Sequence, residues 1–487
     1  MESGSQGTSR DLRLAICGWL DRLTFVSLIV VTFAIGVTAK PLGLMIPAVV
    51  LWVAKLVCAR RWPRSFPLVA PMTAFLLAAA IASCFAYDPG ASWSRLRTLA
   101  ALLLVLVISD TVRTVARLKV LISVLLVSTL VAMGWATWQR TFGYGVTFRE
   151  LPSWMVEAGV APTDVLVRVN RERVFTPEDW VREVRAANSG REMELTFLRA
   201  DGGEQYAISA PAAKVMASGL EAPDAVERWR PARAMGFYQH YLPYSYLLTL
   251  VALLTFGMTL GTKGRGRWAY AALSVVLLIC LATTVTRAAM AFAIVGGLAL
   301  LWHGGGRRMR AACVAGAVVG LVLGSWWIRH ERGVGWISTA DPGTQYRLVI
   351  WRDGLRLISE HPLVGVGFDS VVRHPEHWKL EAFRRFPLIA HFHSTFVEYA
   401  VDGGIPTLVC WAWLLGACGV LLARTTRMLA VDRSLQGIAL GLFAAFVAFV
   451  GMSAVHYIGA DPAIMALFWV MMGCAVAMAQ FVRAHEV

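Results

Sequence analysis

Two histidines precede an apolar helix in the segment IAHFHSTFVEY, residues 389–399. Thr395 and Glu398 have the Thr-x-x-Glu spacing of a capping box, which predicts that the helix begins directly after His393. The positive end of a helix disfavours imidazolium and favours bound anions. His393 is therefore a candidate general base that acts in its neutral form beside a phosphate. His391 points the same way if the segment is extended and diverges if it is helical, so one of the two histidines could be only structural.

Arg287 interrupts an almost continuous apolar stretch of 36 residues, 268–303. As one helix this stretch would be ~54 Å long, more than the ~30 Å hydrocarbon layer, so it predicts two spans with Arg287 at the hairpin between them. An arginine at that depth costs about 2.5–3.5 kcal/mol if it stays in lipid. We therefore expect Arg287 to face a wet cavity and an anionic partner, the alternative being an arginine that reaches a lipid phosphate.

Three more arginines lie on TQYRLVIWRDGLRLISEHP, residues 344–362. Thr344 as N-cap and apolar residues at helical spacing predict a helix that lies on the membrane surface. The predicted apolar stripe consists of Leu348, Ile350 (or Trp351), Leu355 and Ile358. The polar side carries Arg347, Arg352 and Arg356, two of which we expect to be ordinary headgroup contacts.

The composition is that of a polytopic membrane protein. Of the 487 residues 57% are hydrophobic and 16% are charged, with a mean hydropathy of +0.59. In a soluble protein, a net charge of +15 would suggest that the protein binds nucleic acid. Here much of the positive charge lies in the short loops between the spans, so we expect no nucleic-acid partner. None of the eight cysteines lies in a long polar segment, so no disulfide framework is indicated.

Twelve apolar runs are long enough to cross a bilayer. They are residues 22–38, 41–57, 66–86, 97–112, 118–138, 241–260, 268–285, 288–303, 311–328, 404–423, 437–456 and 462–482. Alternate connections are rich in Arg and Lys, which predicts that they and both termini are cytoplasmic. The long polar segments 143–240 and 329–403 then lie outside the cytoplasm. We expect a bacterial inner membrane with these segments in the periplasm, and an uncleaved first span instead of a signal peptide.

Residues 145–212 predict a small β-rich insert. The segments DVLVRVN and EMELTFLR alternate as strands do, and TPEDWVREVRAA has a Thr cap followed by helical spacing. The insert resembles a PDZ domain over about 70 residues, with an apolar-Gly-x-x-x-x-Asp turn before a strand, a helix and a closing hairpin. That resemblance implies a peptide or protein ligand bound by strand addition. A spacer that packs on the periplasmic face is the alternative.

Metal chemistry receives weaker support from the sequence. An intramembrane metalloprotease needs His-Glu-x-x-His on a helix, and HPEH at residues 374–377 has the wrong spacing and a proline. Zinc binding stays open for the histidines outside the spans, although none forms a clear i, i+4 pair. They are His361, His374, His377, His391 and His393. No nucleotide-binding loop or acidic metal cluster stands out, so we expect neither a metal nor another cofactor.

Four segments resemble successive signatures of the O-antigen ligase superfamily. They are VTRAAMAF (285–292), YRLVIWRDGLRLISEHPLVGVGFDS (346–370), HFHSTFVEYAVDGGIPTLV (391–409) and RPARAMGF (230–237). The superfamily includes O-antigen ligases, O-antigen polymerases and bacterial protein O-oligosaccharyltransferases. Ser394 departs from the pattern, since Asn is frequent there, and the PDZ-like insert is unusual.

The resemblance implies an all-α, GT-C-like membrane glycosyltransferase with about twelve spans and a small α+β insert. Its donor would be an undecaprenyl-pyrophosphate-linked glycan, and its acceptor hydroxyl would belong to lipid A-core for a ligase, to another lipid-linked repeat for a polymerase, or to a protein. We expect the ligase reaction. His393 would be the catalytic base supported by His391, and Arg287 and Arg347 would clamp the pyrophosphate with weaker help from Arg230 and Arg233.

The expected organisation follows the chain in five parts. Residues 1–142 hold spans one to five, 143–215 the PDZ-like insert, 216–328 spans six to nine, 329–403 a periplasmic loop with catalytic elements, and 404–487 the last three spans. Membrane lipids surround the spans. A different class of function stays open, namely a periplasmic assembly module that recruits a partner through the insert and whose histidines are structural.

Overall fold

The computed structural model describes residues 3–485 apart from 64–65, 188–189, 200–204, 221, 223, 239, 305, 334–341, 386–390 and 431. The chain divides into two compact units. The first consists of Met1–Thr129 with Ser245–Val487, and the second is Leu130–Tyr244.

Most of the described residues are helical. The α-helices run in chain order as α1 Ser3–Val37, α2 Met45–Ala59, α3 Val69–Cys84, α4 Pro89–Leu96, α5 Leu103–Thr111, α6 Val115–Phe142, α7 Ser153–Glu157, α8 Pro177–Ala186, α9 Ala212–Ala217, α10 Tyr241–Gly261, α11 Arg265–Ala282, α12 Arg287–Gly304, α13 Arg307–Arg332, α14 Pro342–Glu360, α15 Ser370–Arg373, α16 Pro375–Trp378, α17 Glu381–Arg385, α18 Thr395–Met428, α19 Arg433–Val455 and α20 Pro462–His485. Short 3₁₀ helices cover Pro41–Leu44, Arg97–Leu102 and Ile458–Ala460.

Within the described ranges, ten helices are long and apolar enough to cross a membrane. This confirms a multi-pass helical membrane protein. The two remaining predicted spans also fall on helices. Residues 66–86 contain α3, an apolar helix of only 16 residues, and 311–328 lie inside the 26-residue α13. The count of twelve spans and the GT-C class stay predictions.

The apolar stretch around Arg287 folds into two helices, as the sequence predicts. Helix α11 ends at Ala282 and α12 begins at Arg287, with the turn Thr283–Thr286 between them. Val285 in this turn has φ +50°, a left-handed conformation that is costly for a β-branched residue. Arg287 therefore occupies the first position of a membrane helix, where the helix dipole and its own guanidinium have the same sign.

Four glycines bring α10 and α19 into backbone contact. Gly257 and Gly261 on α10, and Gly437 and Gly441 on α19, each have Gly-x-x-x-Gly spacing. A Cβ added at Gly437 would lie 2.7 Å from the Gly257 carbonyl oxygen, and one added at Gly441 would lie 2.6 Å from the Leu254 carbonyl oxygen. Small residues at this spacing allow close helix packing inside a bilayer. The two helices run antiparallel, because residue numbers rise on one as they fall on the other.

A buried ionic cluster joins α1, α2 and α5. Asp110 is 1% exposed, and its carboxylate lies 2.6 Å from the Lys55 ammonium and 2.7 Å from the Arg61 guanidinium. Lys55 also pairs with Asp21 at 3.0 Å. Charges held inside a helix bundle are stable only when they are paired in this way. The cluster therefore fixes these three helices to one another.

The second unit contains one antiparallel sheet over its own core. The strands are β1 Gly145–Phe148, β2 Val165–Val169, β3 Glu172–Arg173, β4 Glu192–Leu198, β5 Gln205–Pro211 and β6 Val226–Trp229. The order is β5-β4-β2-β1-β6, with β3 on β2. The two predicted strands and helix α8 with its Thr176 cap are confirmed, and Asp179 completes this cap as a capping box. Because β6 pairs with β1, the sheet extends beyond the predicted boundary at residue 215. Its PDZ-like character stays a prediction.

Helix α14 buries a different face from the one that the sequence predicts. Tyr346, Ile350 and Leu357 are the buried positions, whereas Leu348 and Leu355 are exposed. The buried face packs against the segment that carries Phe392 and Val401. The predicted stripe shares Ile350 with the buried face but leaves out Tyr346 and Leu357, which are buried there. The helix also begins at Pro342, ahead of the predicted Thr344 cap.

Candidate functional site

The segment 391–394 enters helix α18 through a cap that the sequence misassigns. Ser394 is the N-cap and accepts a hydrogen bond from the Val397 backbone N–H at 3.4 Å. Thr395 is already the first helical residue, so the predicted Thr395–Glu398 capping box is wrong. Helix α18 is kinked at the predicted boundary between the loop 329–403 and the span 404–423, because Gly404 has φ +74°. His393 still lies directly ahead of a helix N-terminus, as expected.

Thr395 joins this helix start to the connection between α19 and α20. Its backbone N–H and its hydroxyl both donate to the His456 carbonyl oxygen, at 3.2 and 3.0 Å. The hydroxyl oxygen also accepts from the Ile458 N–H at 3.0 Å. Thr395 is 1% exposed, so these bonds are shielded from water. They hold the backbone of His456 beside the start of α18.

Buried contacts on both sides hold the histidine segment. The Glu398 carboxylate accepts from the Phe392 N–H at 2.7 Å, and the Phe392 side chain is fully buried. From α14, the Trp351 indole N–H donates to the Phe392 carbonyl at 2.9 Å, and the Tyr346 hydroxyl donates to the His391 carbonyl at 3.3 Å. Burial raises the pKa of Tyr346, so its hydroxyl stays protonated and acts as a donor. Helices α14 and α18 thus fix the backbone of the histidines.

Three imidazoles converge at this point. The rings of His391 and His393 have centroids 4.4 Å apart, and the ring of His456 lies 5.7 and 5.4 Å from them. The Nδ1 atoms of His393 and His456 are 3.4 Å apart. His393 has φ +49°, a left-handed conformation that brings its ring towards the other two. Both predicted histidines therefore lie in one cluster, together with a third that the sequence analysis did not select.

Arg347 follows the tyrosine that contacts this cluster. The Tyr346 ring meets the His393 ring edge-on at a centroid distance of 5.3 Å. Arg347 is half-buried, in contrast to Arg352 on the same helix, which is exposed. The Arg347 charge also acts on Tyr346, where it opposes the effect of burial on the tyrosine pKa. Arg347 is therefore adjacent in the helix to the tyrosine that contacts the histidine cluster.

Contacts between α12 and α19 set the position of Arg287. The Phe292 ring of α12 occupies the space beside Gly451 of α19, and a Cβ added at Gly296 would lie 2.8 Å from the Ala444 carbonyl oxygen. The helices are thus antiparallel. Arg287 is five residues before Phe292 and His456 is five residues after Gly451, so each lies ~7.5 Å further along its helix in the same direction. Arg287 and His456 are at the same level of the bundle.

Helix α10 contacts both His456 and the start of α12, where Arg287 lies. The Tyr246 and His456 rings have centroids 5.6 Å apart. One turn later on α10, the Thr249 hydroxyl lies 3.4 Å from the carbonyl oxygen of Ala289, in the first turn of α12. Arg287 itself is half-buried. The start of α12 therefore adjoins the part of α10 that contacts His456.

Arg230 and Arg233 belong to the second unit. Arg230 is exposed, and the Arg233 guanidinium lies 4.3 Å from the Tyr241 ring centroid. Burial and then the charge of Arg233 lower the pKa of the neighbouring His240 to about 4, so this imidazole is neutral at neutral pH. Its Nδ1 atom accepts a hydrogen bond from the Leu242 N–H at 3.2 Å. A substrate role for Arg230 and Arg233 stays a prediction.

A polar chain that the sequence analysis did not select runs behind the histidines. The Tyr457 ring lies 5.8 Å from the His391 ring, and the Arg95 guanidinium donates to the Tyr457 hydroxyl at 3.4 Å. Arg95 also pairs with Asp369 at 3.4 Å. Burial raises the pKa of Tyr457 well above its usual value. The available signal was an arginine just ahead of an apolar run, in SWSRLRTLA.

Comparison with known proteins agrees with the motifs. Residues 272–412 match the family model described as O-Antigen ligase, which covers less than a third of the chain. A search of curated proteins finds no match. The matched segment includes Arg287, Arg347, His391 and His393 and ends before His456. Arg287, Arg347, His391 and His393 thus lie within the segment that is similar to O-antigen ligases, which supports the resemblance to the O-antigen ligase superfamily.

Proposed function

We propose that this protein is a glycosyltransferase of the bacterial inner membrane that moves a glycan from undecaprenyl pyrophosphate to an acceptor hydroxyl in the periplasm. The acceptor is lipid A-core, as in an O-antigen ligase. The observation that supports this most is the convergence at one end of the helix bundle. His391, His393 and His456 cluster there, Arg347 follows the tyrosine that contacts His393, and Arg287 is level with His456.

The arginines supply the anion-binding half of the proposed site. Departure of the glycan from undecaprenyl pyrophosphate builds negative charge on the phosphate oxygens, and guanidinium groups match phosphate geometry and stay charged at every relevant pH. Arg287 adds its charge to the positive end of α12. Arg347 is half-buried on α14, where water screens its charge less than that of an exposed arginine. Both residues therefore suit a pyrophosphate clamp.

The histidines supply the proton-accepting half. The acceptor hydroxyl oxygen attacks the anomeric carbon of the glycan, and the bond between that carbon and the phosphate oxygen breaks. The electron pair of the broken bond leaves with undecaprenyl pyrophosphate, and the hydroxyl proton passes to an imidazole nitrogen. We assign this base role to His393, with His391 supporting it. His393 lies directly ahead of the start of α18, and the positive end of a helix favours a neutral imidazole over imidazolium.

Rigid support distinguishes this site from two histidines on a mobile loop. Thr395, Glu398, Tyr346 and Trp351 hold the backbone of the segment through bonds that do not involve the imidazole rings. Reacting groups that are fixed before the substrate arrives save the entropy of ordering them during the reaction. The support thus favours a catalytic role over the assembly-module alternative, which needs no such fixation.

The experiment is reconstitution of the full-length protein in liposomes with an undecaprenyl-pyrophosphate-linked glycan. Lipid A-core, a second lipid-linked repeat and a serine- or threonine-rich protein are offered in parallel, and the products are separated by size and analysed by mass spectrometry. We expect the glycan on lipid A-core. If the product is a polymer or a glycosylated protein, the protein is still a glycosyltransferase, but its acceptor is not lipid A-core.

Matched variants test the site itself. Arg347→Ala removes the proposed clamp, whereas Arg352→Ala removes an exposed arginine from the same helix. We expect a loss of transfer only in the first. Equal transfer by both variants at equal membrane abundance, or no product with any acceptor from the wild-type protein, would refute the proposal.

A further inference from the structure

We propose that His391, His393 and His456 form a binding site for Zn²⁺ or a similar divalent transition metal, with three imidazole ligands and a fourth position open to an oxygen ligand. Each histidine offers one ring nitrogen, and the three nitrogens lie within 4.8 Å of one another. Imidazole nitrogen is a preferred ligand for these metals. The proposal concerns metal binding alone and does not rest on glycan transfer. Because a metal-bound imidazole of His393 cannot also accept a proton, the metal-bound form is not the form that transfers glycan.

The distances suit tetrahedral coordination. Zn–N bonds of about 2.0–2.1 Å place two ligand nitrogens on a tetrahedron about 3.3 Å apart. The Nδ1 atoms of His393 and His456 are already 3.4 Å apart. The third nitrogen lies within 4.8 Å of the other two, so the His391 ring reaches the same spacing by an inward shift of at most about 1.5 Å, which a change of its side-chain torsions provides. Two ligands are therefore pre-positioned and the third needs only a minor adjustment.

The surrounding structure fixes these ligands from behind. The Tyr346 hydroxyl binds the His391 carbonyl, and Thr395 binds the His456 carbonyl with both its N–H and its hydroxyl. His393 keeps an unfavourable left-handed φ of +49°, and such strain persists where neighbouring contacts enforce it. These contacts fix the backbone of the ligand residues and so limit the positions that their rings can adopt.

Burial and charge define the kind of site. His456 is 7% exposed, whereas His391 and His393 are half-exposed, so one side of the cluster is accessible. Zinc sites with three protein ligands and one accessible position bind water, hydroxide or a substrate oxygen there. Arg347 on α14 and Arg287 at the level of His456 disfavour a bare divalent cation and favour an anionic fourth ligand. Phosphate or hydroxide therefore suits the open position.

Metal binding by the purified full-length protein tests the proposal without any glycan. The protein is stripped with a chelator and titrated with Zn²⁺, and separately with Co²⁺, whose visible absorption reports tetrahedral coordination. We expect one Zn²⁺ per chain, a higher melting temperature with Zn²⁺ because the ion binds only the folded state, and tighter binding when inorganic phosphate is added. His456→Ala should weaken binding at least 100-fold.

Two further variants keep the test decisive. His391→Gln removes a half-exposed ligand and serves if His456→Ala fails to fold. His361→Ala removes a histidine that packs on Trp378, with ring centroids 5.7 Å apart, and should bind Zn²⁺ as the wild type does. Absence of stoichiometric binding in the wild type, or equal binding by the wild type and the ligand variants, would overturn the metal site and leave the transfer proposal intact.

Discussion

The Nδ1 atom of His456 lies 3.4 Å from that of His393, although 63 residues separate the two histidines in the chain. The contact brings the end of α19 to the mouth of α18. Thr395 secures it by binding the His456 carbonyl oxygen from the neighbouring position. The histidine cluster is therefore built from two parts of the chain, and the family match at residues 272–412 covers only one of them.

Replacement of His393 should abolish most of the transfer. We expect His393→Ala to lower the transfer rate by about 10²–10⁴-fold, the usual contribution of a general base. The rate is measured in the liposome assay at saturating lipid-linked glycan, with His361→Ala as the matched control. A His393→Ala protein that transfers at the wild-type rate would show that the imidazole is only structural.

Transfer should depend on the planar shape of the Arg347 guanidinium as well as on its charge. Arg347→Lys keeps the charge but loses the planar fork that binds two phosphate oxygens, so we expect it to restore only part of the activity lost in Arg347→Ala. A change of about 1.4 kcal/mol in phosphate binding corresponds to a tenfold change in the KM for the lipid-linked donor. Arg352→Lys and Arg352→Ala are the controls on the exposed side of α14. Full activity of Arg347→Lys would reduce the role of Arg347 to a point charge.

Thr395 should prove to be a positioning residue. Thr395→Val removes a buried hydroxyl that serves the His456 carbonyl and the Ile458 N–H, and the loss should destabilise the protein by about 1–3 kcal/mol. It should also lower transfer and weaken Zn²⁺ binding, because His456 loses its support. Thr395→Ser keeps the hydroxyl and should recover all three properties. Recovery of stability without recovery of transfer and Zn²⁺ binding would argue against a positioning role.

The sequence predicts most of the apolar helices because their signals are local. Apolar runs, arginine-rich connections and the interruption at Arg287 each depend on a few neighbouring residues, and the helix break at residues 283–286 follows directly from them. The strands Val165–Val169 and Glu192–Leu198 are also local patterns. These features need no knowledge of the tertiary structure.

The sequence predicts only part of the site, because the rest depends on contacts between distant parts of the chain. His456 follows an apolar helix and resembles any residue at the end of a span, until the fold brings it to His393. The Thr-x-x-Glu spacing is a real pattern at 395–398, yet Thr395 and Glu398 are used for tertiary bonds to His456 and Phe392. Ser394 therefore takes over as the cap. Long-range partners of this kind leave no mark on the local sequence.

Close packing of α10 on α19 should be essential for the bundle. Gly441→Leu places a side chain where a Cβ alone would lie 2.6 Å from the Leu254 carbonyl oxygen, so the helices must separate. We expect low membrane abundance and loss of transfer, because α10 and α19 carry Tyr246 and His456 to the same place. Gly416→Leu on α18 is the control, since a Cβ at that position meets nothing within 4 Å. Equal abundance of the two variants would contradict the packing argument.

Asp461, ahead of α20, should give the protein a pH-dependent stability. Burial raises the pKa of this carboxyl to about 7 against an ordinary 3.8, while the charge of Arg95 partly opposes the shift. At a pH between these two pKa values, the Asp461 carboxyl is protonated in the folded state and ionised in the unfolded state. Stability therefore falls as the pH rises from about 4 to about 7.

Asp461→Asn removes this proton, so its stability relative to the wild type should rise through that pH window and stay constant above it. Thermal unfolding in detergent at a series of pH values measures the difference. Asp88→Asn provides a contrast of opposite sign, because a hydrogen bond from the Ala91 N–H and then one with His374 lower the pKa of Asp88. The carboxylate of Asp88 stabilises the wild type above its ordinary pKa, and this contribution is lost as the pH falls through its lowered value. If Asp461→Asn and the wild type show the same pH dependence between 4 and 7, the Asp461 carboxyl is not protonated in the folded protein over this range.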